Sequence, residues 1–383
     1  MKSFDVIVVG AGPAGATAAR HCSMLNLKTL LLEKERLPRY KACAGGVTKA
    51  TYREIGFELP ERIIERECRG VRFRVKEFEK DIRDNETVIY MVKRDCFDEF
   101  LVEMACNEGA EVKDGEECTS VQTGPDGVHV NTERGSYSAN IVIGADGYYS
   151  RVLKSLRNRS DDVRFCVLCE VPVQRAWIDD YLGDLALIHF GFVDGGYAWL
   201  FPKKDSISAG IGASFIKSKE LPERLKAFLR ANNLSTEVRI KGWFVPFTKF
   251  AFPAYADRIM LAGDAAGFVD SLTGEGISGA VLSGKLAALT ARDCHDSGDF
   301  SEAALSEYHK RCQKSFGNDL MYASRAADYL LKYTDLILGT IARNNEALYK
   351  YLKTLKGELD YKSYAEWFKR KMPALLLKRV FSS

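Results

Sequence analysis

The chain has 383 residues, 46% of them hydrophobic and 28% charged, and its net charge is +3. That length is long for one core and short for three domains, and that composition excludes a disordered chain. So small a net charge points to no nucleic-acid partner, and no apolar run approaches the roughly 18–20 residues of a membrane-spanning helix.

Residues 4–9, FDVIVV, read as a buried parallel strand. A glycine turn follows, so the apolar N-terminus is expected to be strand and turn rather than a targeting segment. Residues 14–25 carry the small side chains of a helix packed close to a sheet. Asn26 stands where the chain must turn back, a place that favours the left-handed conformation. Residues 29–32 form a second strand that ends at Glu33, completing one βαβ unit. Phe97, Phe100, Leu101 and Met104 recur at helical spacing and predict a helix over 94–109. A strand is expected over 137–144. Alternating segments between about 163 and 250, among them 197–202 and 206–212, predict an antiparallel sheet. Residues 258–262 return to a buried strand, and the chain is mostly helical from Leu305 onward. Residues 350–383 hold nine Lys or Arg against three Asp or Glu, an excess of +6 that leaves the remainder at about −3. The ten cysteines show no framework spacing, which suits reduced thiols in a cytoplasmic compartment.

Three motifs carry chemistry. In the first, Gly10-Ala11-Gly12-Pro13-Ala14-Gly15, the first glycine allows a tight turn. Gly12 lets a pyrophosphate approach, and Gly15 lets the helix lie against the strand. Glu33 stands 23 residues beyond Gly10, where an acidic side chain can hold a ribose hydroxyl. The second motif is Gly144-Ala145-Asp146-Gly147. The third runs from Gly263-Asp264 to Gly274-Glu275-Gly276. Each follows an apolar strand, and carboxylates at such ends lie on the ligand-binding edge of an α/β sheet. Asp264 could bond a polyol chain, and Gly274 to Gly276 could open a helix whose N–H groups face a flavin ring or phosphate.

The three motifs in this order resemble the FAD-binding domain of the p-hydroxybenzoate hydroxylase structural class. Two further stretches, Arg39 to Gly46 (RYKACAGG) and Tyr197 to Lys203 (YAWLFPK), resemble the cysteine-glycine segment and the YxWxFP signature of the geranylgeranyl reductase family. Within it, the archaeal-type digeranylgeranylglycerophospholipid reductases are the expected branch. Ala44 stands where the resemblance implies glycine. The resemblance implies an α/β fold: an FAD/NAD(P)-binding Rossmann-like domain (1–70, 93–162, 252–303), an interleaved antiparallel-sheet substrate domain (71–92, 163–251) and a C-terminal helical region (304–383). It adds Ala14, Cys43, Ala44, Gly45, Arg94, Gly147 and Ile277 to the cofactor-binding set.

The implied activity is saturation of isoprenoid double bonds, with FAD as cofactor and a prenyl lipid, phospholipid-linked or free diphosphate, as substrate. Tyr197, Trp199 and Phe201 alternate and so project from one strand face, as an apolar tunnel requires. Trp243, Phe244, Phe247, Phe250 and Phe252 either extend that wall or pack as an ordinary sheet core. Tyr197, Trp199 and Cys43 are the catalytic candidates. The CxxC at Cys166 and Cys169 places its thiols on opposite strand faces and the five histidines lack ligand spacing, so no metal is expected. With a single GxGxxG there is no separate nicotinamide domain, leaving a ferredoxin-like protein or NAD(P)H as electron donor. The basic, apolar tail from Trp367 suits either peripheral contact with the inner face of the cell membrane or a solvated helix. The competing readings are a flavin-dependent monooxygenase or halogenase of the same fold, and a non-catalytic flavin or lipid carrier.

Overall fold

The computed structural model describes residues 2–159, 162–214, 216–247 and 249–381, with the backbone only at 328, 331, 332, 334, 335 and 372–381. Two compact units form. The first comprises Met1–Lys41, Arg94–Val163 and Val245–Met321, the second Ala42–Lys93, Arg164–Phe244 and Tyr322–Ser383.

Five parallel strands form the heart of the first unit, in the order Glu111–Lys113, Thr29–Leu32, Lys2–Val9, Ser136–Gly144 and Ile259–Leu261. Lys2–Val9 is bonded on both edges, so its apolar run has no wet face, and Val6 to Val9 are buried. Full burial of each such side chain contributes about 1.5–3 kcal/mol. A hairpin, Cys118–Gly124 with Gly127–Thr132, extends antiparallel from Ser136–Gly144. The Pro13–Met24 helix buries its alanines, and its neighbour Ile277–Ser297 packs so closely that a Cβ at Gly284 would lie 2.4 Å from the carbonyl oxygen of Ala14. Asn26 takes the expected left-handed turn at φ 59°.

The second unit contains a seven-stranded sheet ordered Lys241–Phe247, Asp162–Pro172, Ser206–Ala213, Gly196–Pro202, Leu185–Phe190, Gly70–Val75, Phe78–Arg83. From Asp162–Pro172 to Leu185–Phe190, and between Gly70–Val75 and Phe78–Arg83, the pairs are antiparallel as expected, whereas Leu185–Phe190 runs parallel to Gly70–Val75. One face, with Val167, Leu200 and Ile211, is covered by the Leu221–Ala231 helix. On the other face Val71 and Phe73 pack against Leu348, Leu352 and Leu355 of the C-terminal helices.

The units divide the chain at places other than the domain limits read from sequence. Residues 42–70 fall in the second unit because Gly46–Thr48 and Ile64–Cys68 both pair with Ile89–Val92. The helices from Tyr322 on are no separate body, since their leucines complete the second unit's core.

Candidate functional site

The glycine turn ends the first strand. Gly10 has φ +100°, and a Cβ there would lie 2.5 Å from the Ala145 carbonyl oxygen. At Gly15 a Cβ would lie 1.8 Å from the carbonyl oxygen of Gly10. Both positions therefore exclude any side chain. Gly12 differs, for the nearest atom to a Cβ there is an Arg39 guanidinium nitrogen at 3.8 Å, leaving room beside the backbone. The helix that follows starts on Pro13 with no side-chain cap and no acidic residue in its first turn. Its first N–H groups and positive end suit an anionic oxygen.

A buried charge network braces this turn. One oxygen of Glu33 accepts from the Ala11 N–H at 2.8 Å and faces Arg39 Nε at 3.2 Å, while the other accepts from the Glu35 N–H at 3.1 Å. Arg39 also donates to Asp98 at 3.0 Å, and Arg94 grips the same carboxylate with two bonds of 2.7 and 2.9 Å. The Asp98 side chain is wholly buried. Two guanidiniums and two carboxylates thus offset one another out of water, where a lone charge would cost several kcal/mol. The sequence reading named Glu33 and Arg94 for the cofactor. The structure sets Glu33 against the turn itself and Arg94 against Asp98, and brings Arg39 to the phosphate side. Neither Arg39 nor Asp98 was singled out, although Asp98 stands four residues after Arg94, a helical pairing distance.

Asp146 requires a correction. Its carboxylate accepts from Ser150 Oγ at 2.6 Å and from the N–H groups of Arg151 and Val152 at 2.6 and 3.2 Å. It therefore stabilises the start of the Arg151–Leu156 helix rather than presenting itself to a ligand. Burial raises its pKa against the lowering effect of those bonds. Gly147, at φ +76°, has open space where a side chain would be. Asp264 follows the Ile259–Leu261 strand, with one carboxylate oxygen 3.3 Å from the Cβ position of Gly276. Gly276 caps the Ile277–Ser297 helix with no side-chain help, and the Ile277 side chain is buried at its first position. Asp270, which the sequence reading missed, shapes this loop. Its side chain accepts from the N–H groups of Leu272 and Thr273, while Gly274, at φ +71°, donates to its carbonyl. An Asp two residues before a turn was the available signal.

In the second unit, Tyr197, Trp199, Phe201 and Trp243 gather with Cys166, Leu168, Ala42 and Ala44 in one apolar cluster. The Tyr197 and Trp199 rings are 5.9 Å apart. Trp199 lies across the neighbouring strand, where a Cβ on Gly210 would strike its ring at 2.1 Å. Cys43 sits half-buried in the loop above, its Sγ accepting from the Gly45 N–H at 3.4 Å. Ala44 avoids the left-handed region, so its Cβ is accommodated, whereas Gly45 has φ +80° and would put a Cβ 2.0 Å from the Val92 carbonyl oxygen. The wall that the second aromatic series could extend is not formed as a unit. Trp243 joins the cluster, but Phe244 packs on Phe165, Phe250 stacks on Phe268, and Phe252 lies under Arg157. Phe247 is buried in the sheet. Cys166 and Cys169 face opposite sides of their strand, within separate clusters.

The first unit fits an FAD: a turn without Cβ atoms, an uncapped helix start, a guanidinium beside it, and a second glycine-opened helix facing Asp264. Comparison with known proteins agrees. Residues 3–194 match the FAD binding domain family. A digeranylgeranylglycerophospholipid reductase of Methanosphaera stadtmanae is 30% identical over 89% of this chain and 91% of its own. One from Methanothermobacter thermautotrophicus is 31% identical over 89% and 90%. Among solved structures, a geranylgeranyl bacteriochlorophyll reductase-like protein of Thermoplasma acidophilum superposes with a TM-score of 0.81 at 24% identity, covering 99% of this chain and 98% of its own. The flavin-dependent brominase Bmp2 does so with 0.75 at 19%, covering 97% and 100%. These two likenesses establish the fold, and the sequence relatives establish more: the cofactor is FAD, and the chain belongs to the FAD-binding family of the digeranylgeranylglycerophospholipid reductases.

Proposed function

We propose that this protein is an FAD-dependent reductase that saturates the double bonds of geranylgeranyl chains on a glycerophospholipid. The observation that carries the reading is the aromatic face of Tyr197, Trp199 and Phe201 beneath the Cys43 loop, in a chain whose relatives are named for that reaction. A prenyl chain has no hydrogen-bonding groups, so its recognition falls to apolar and aromatic walls.

Gly10, Gly12 and Gly15 with Arg39 would hold the pyrophosphate, and Asp264 with Gly274 and Gly276 the rest of the flavin nucleotide. Reduced FAD, when bound, supplies the hydride. A trisubstituted alkene is not electron-poor, so the protein's task is to make it accept that hydride. Tyr197 or Cys43 gives a proton to the less substituted carbon, and positive charge develops on the tertiary carbon. The Trp199 and Tyr197 rings stabilise that charge by about 1–2 kcal/mol in a dry site. The bound flavin's hydride would complete the tertiary carbon and make the double bond single, and the acid recovers its proton from water.

The test is anaerobic single turnover with pre-reduced enzyme and prenyl phospholipid, read by mass spectrometry. Gain of two hydrogens per double bond supports the reading. Unsaturated lipid, with flavin reoxidised only when oxygen is admitted, supports a monooxygenase or halogenase instead. The halogenases' WxWxIP-type segment is missing from this sequence. Tyr197→Phe and Cys43→Ser separate the two side-chain proton donors in the same assay, and unchanged rates in both leave a water as the donor. A ferredoxin-like protein or NAD(P)H reduces the flavin.

No described helix is long and apolar enough to cross a membrane. The basic tail forms a helix, Tyr361–Phe381, exposing Lys362, Lys369, Arg370 and Lys371, and from residue 372 its side chains lie outside those described. The proposed role is peripheral contact with anionic lipid. Deleting residues 367–383 should then abolish co-sedimentation with anionic vesicles at low salt.

A further inference from the structure

The Cys43 loop is pinned in three places within its unit. Val92 donates to the Gly45 carbonyl at 2.8 Å. Gly46 abuts Phe201, whose ring lies 3.2 Å from the glycine's Cβ position. The third neighbour is a cation: Lys203 Nζ lies 3.6 Å from where a Cβ on Gly45 would stand. Lys203 is only 2% exposed. Its ammonium donates to Glu170 at 2.8 Å, and the other oxygen of Glu170 accepts from Ser206 Oγ at 3.3 Å. Lys203 and Ser206 also close the turn between their strands through a 2.8 Å backbone bond.

Lysine is almost never fully buried unless paired. Glu170 keeps a third of its side chain exposed, and an ion pair so placed is often no more stabilising than apolar residues of the same volume. The fold alone therefore does not call for a charge at position 203. Strand alternation sets Lys203 in line with Tyr197, Trp199 and Phe201, and Glu170 in line with Cys166 and Leu168. The pair thus ends the aromatic face at the point where the cysteine loop covers it.

We propose that Lys203, anchored by Glu170, is a positioning residue for Cys43, holding the loop so that the thiol is presented from one backbone conformation. This rests on the reading of Cys43 as part of the reductase site. An ammonium held by Glu170 stands beside the Gly45 backbone, where a side chain on Gly45 would lie, so the loop has one resting place. Loss of the ammonium lets it open locally.

The experiment uses full-length, FAD-loaded protein and iodoacetamide, with alkylation of each cysteine followed by peptide mass spectrometry. Exposed Cys96 and Cys106 are internal references. Cys43 should react about tenfold faster in Lys203→Met and in the double variant Lys203→Met/Glu170→Leu, with the references unchanged. Lys203→Arg, which keeps the cation, should react like wild type. The double variant leaves no lone buried charge, so it separates loss of positioning from loss of fold. A double variant that melts normally and protects Cys43 as wild type does would overturn the inference. So would a double variant with no cooperative melt, since the pair would then be a folding element. Pre-reduced single turnover adds a second readout, with the rate falling in both methionine variants at unchanged lipid binding. Variants that show this alkylation pattern while wild type leaves prenyl lipid unsaturated would sink the reductase reading alone.

Discussion

The cofactor cradle and the aromatic face are built on different principles. The cradle is a backbone device: its shape comes from what Gly10 and Gly15 lack, and its charge from a helix start and four buried ionised side chains. The aromatic face is a side-chain device, in which Tyr197, Trp199 and Phe201 come from one strand and Trp243, Leu168 and the Cys43 loop from others. A backbone device depends on the absence of side chains and tolerates almost no substitution. A side-chain device can be reshaped residue by residue, which suits the part that must choose a substrate.

Gly15→Ala should break the comparison hardest. Its Cβ would meet a carbonyl oxygen at 1.8 Å, so strand and helix must part, and purified protein should lack the visible flavin spectrum. Next comes Asp98→Ala, which leaves Arg39 and Arg94 without their shared carboxylate. Thermal unfolding should register a loss of about 3–5 kcal/mol. On the face, Gly210→Ala displaces the Trp199 ring at a cost of about 1–3 kcal/mol. It should lower turnover while flavin content stays at wild type, whereas a parallel loss of flavin would show that the two devices are not separable.

The smallest effect lies on the opposite side of the second unit's sheet. His189 packs against Phe192 and Phe228. Burial, with help from Arg74, lowers its pKa from 6.5 to about 4. The folded state thus holds His189 neutral while the unfolded chain binds the proton. Its contribution is complete above pH 6.5 and is lost as the pH falls toward 4. His189→Gln removes that titration, and the drop in melting temperature between pH 7 and pH 4.5 should shrink by about 2–4 °C.

The residues most legible in the sequence were those whose reason is local. Gly10, Gly12 and Gly15 announce a turn because a backbone without Cβ leaves a trace at fixed spacing, and Asn26 announces its left-handed turn in the same way. Tyr197, Trp199 and Phe201 were read onto one face because strand periodicity is two. Asp146 misled because a carboxylate after a strand looks the same whether it meets a ligand or the next helix's N–H groups. Phe250 and Phe252 stayed open between wall and ordinary core, because nearness in sequence does not tell where the backbone turns, and the structure packs them on Phe268 and under Arg157.

By itself, then, the sequence determined the glycine turn, the order of the elements and the family, all of which depend on residues within a few positions of one another or on strand and helix period. Only the tertiary structure decided that Arg39 and Asp98 complete the cradle, and that Lys203 finds Glu170 beneath the Cys43 loop. Those partners lie 59 and 33 residues apart. A buried charge reveals its purpose only when its counter-charge is brought beside it out of water, and no spacing along the chain records that meeting.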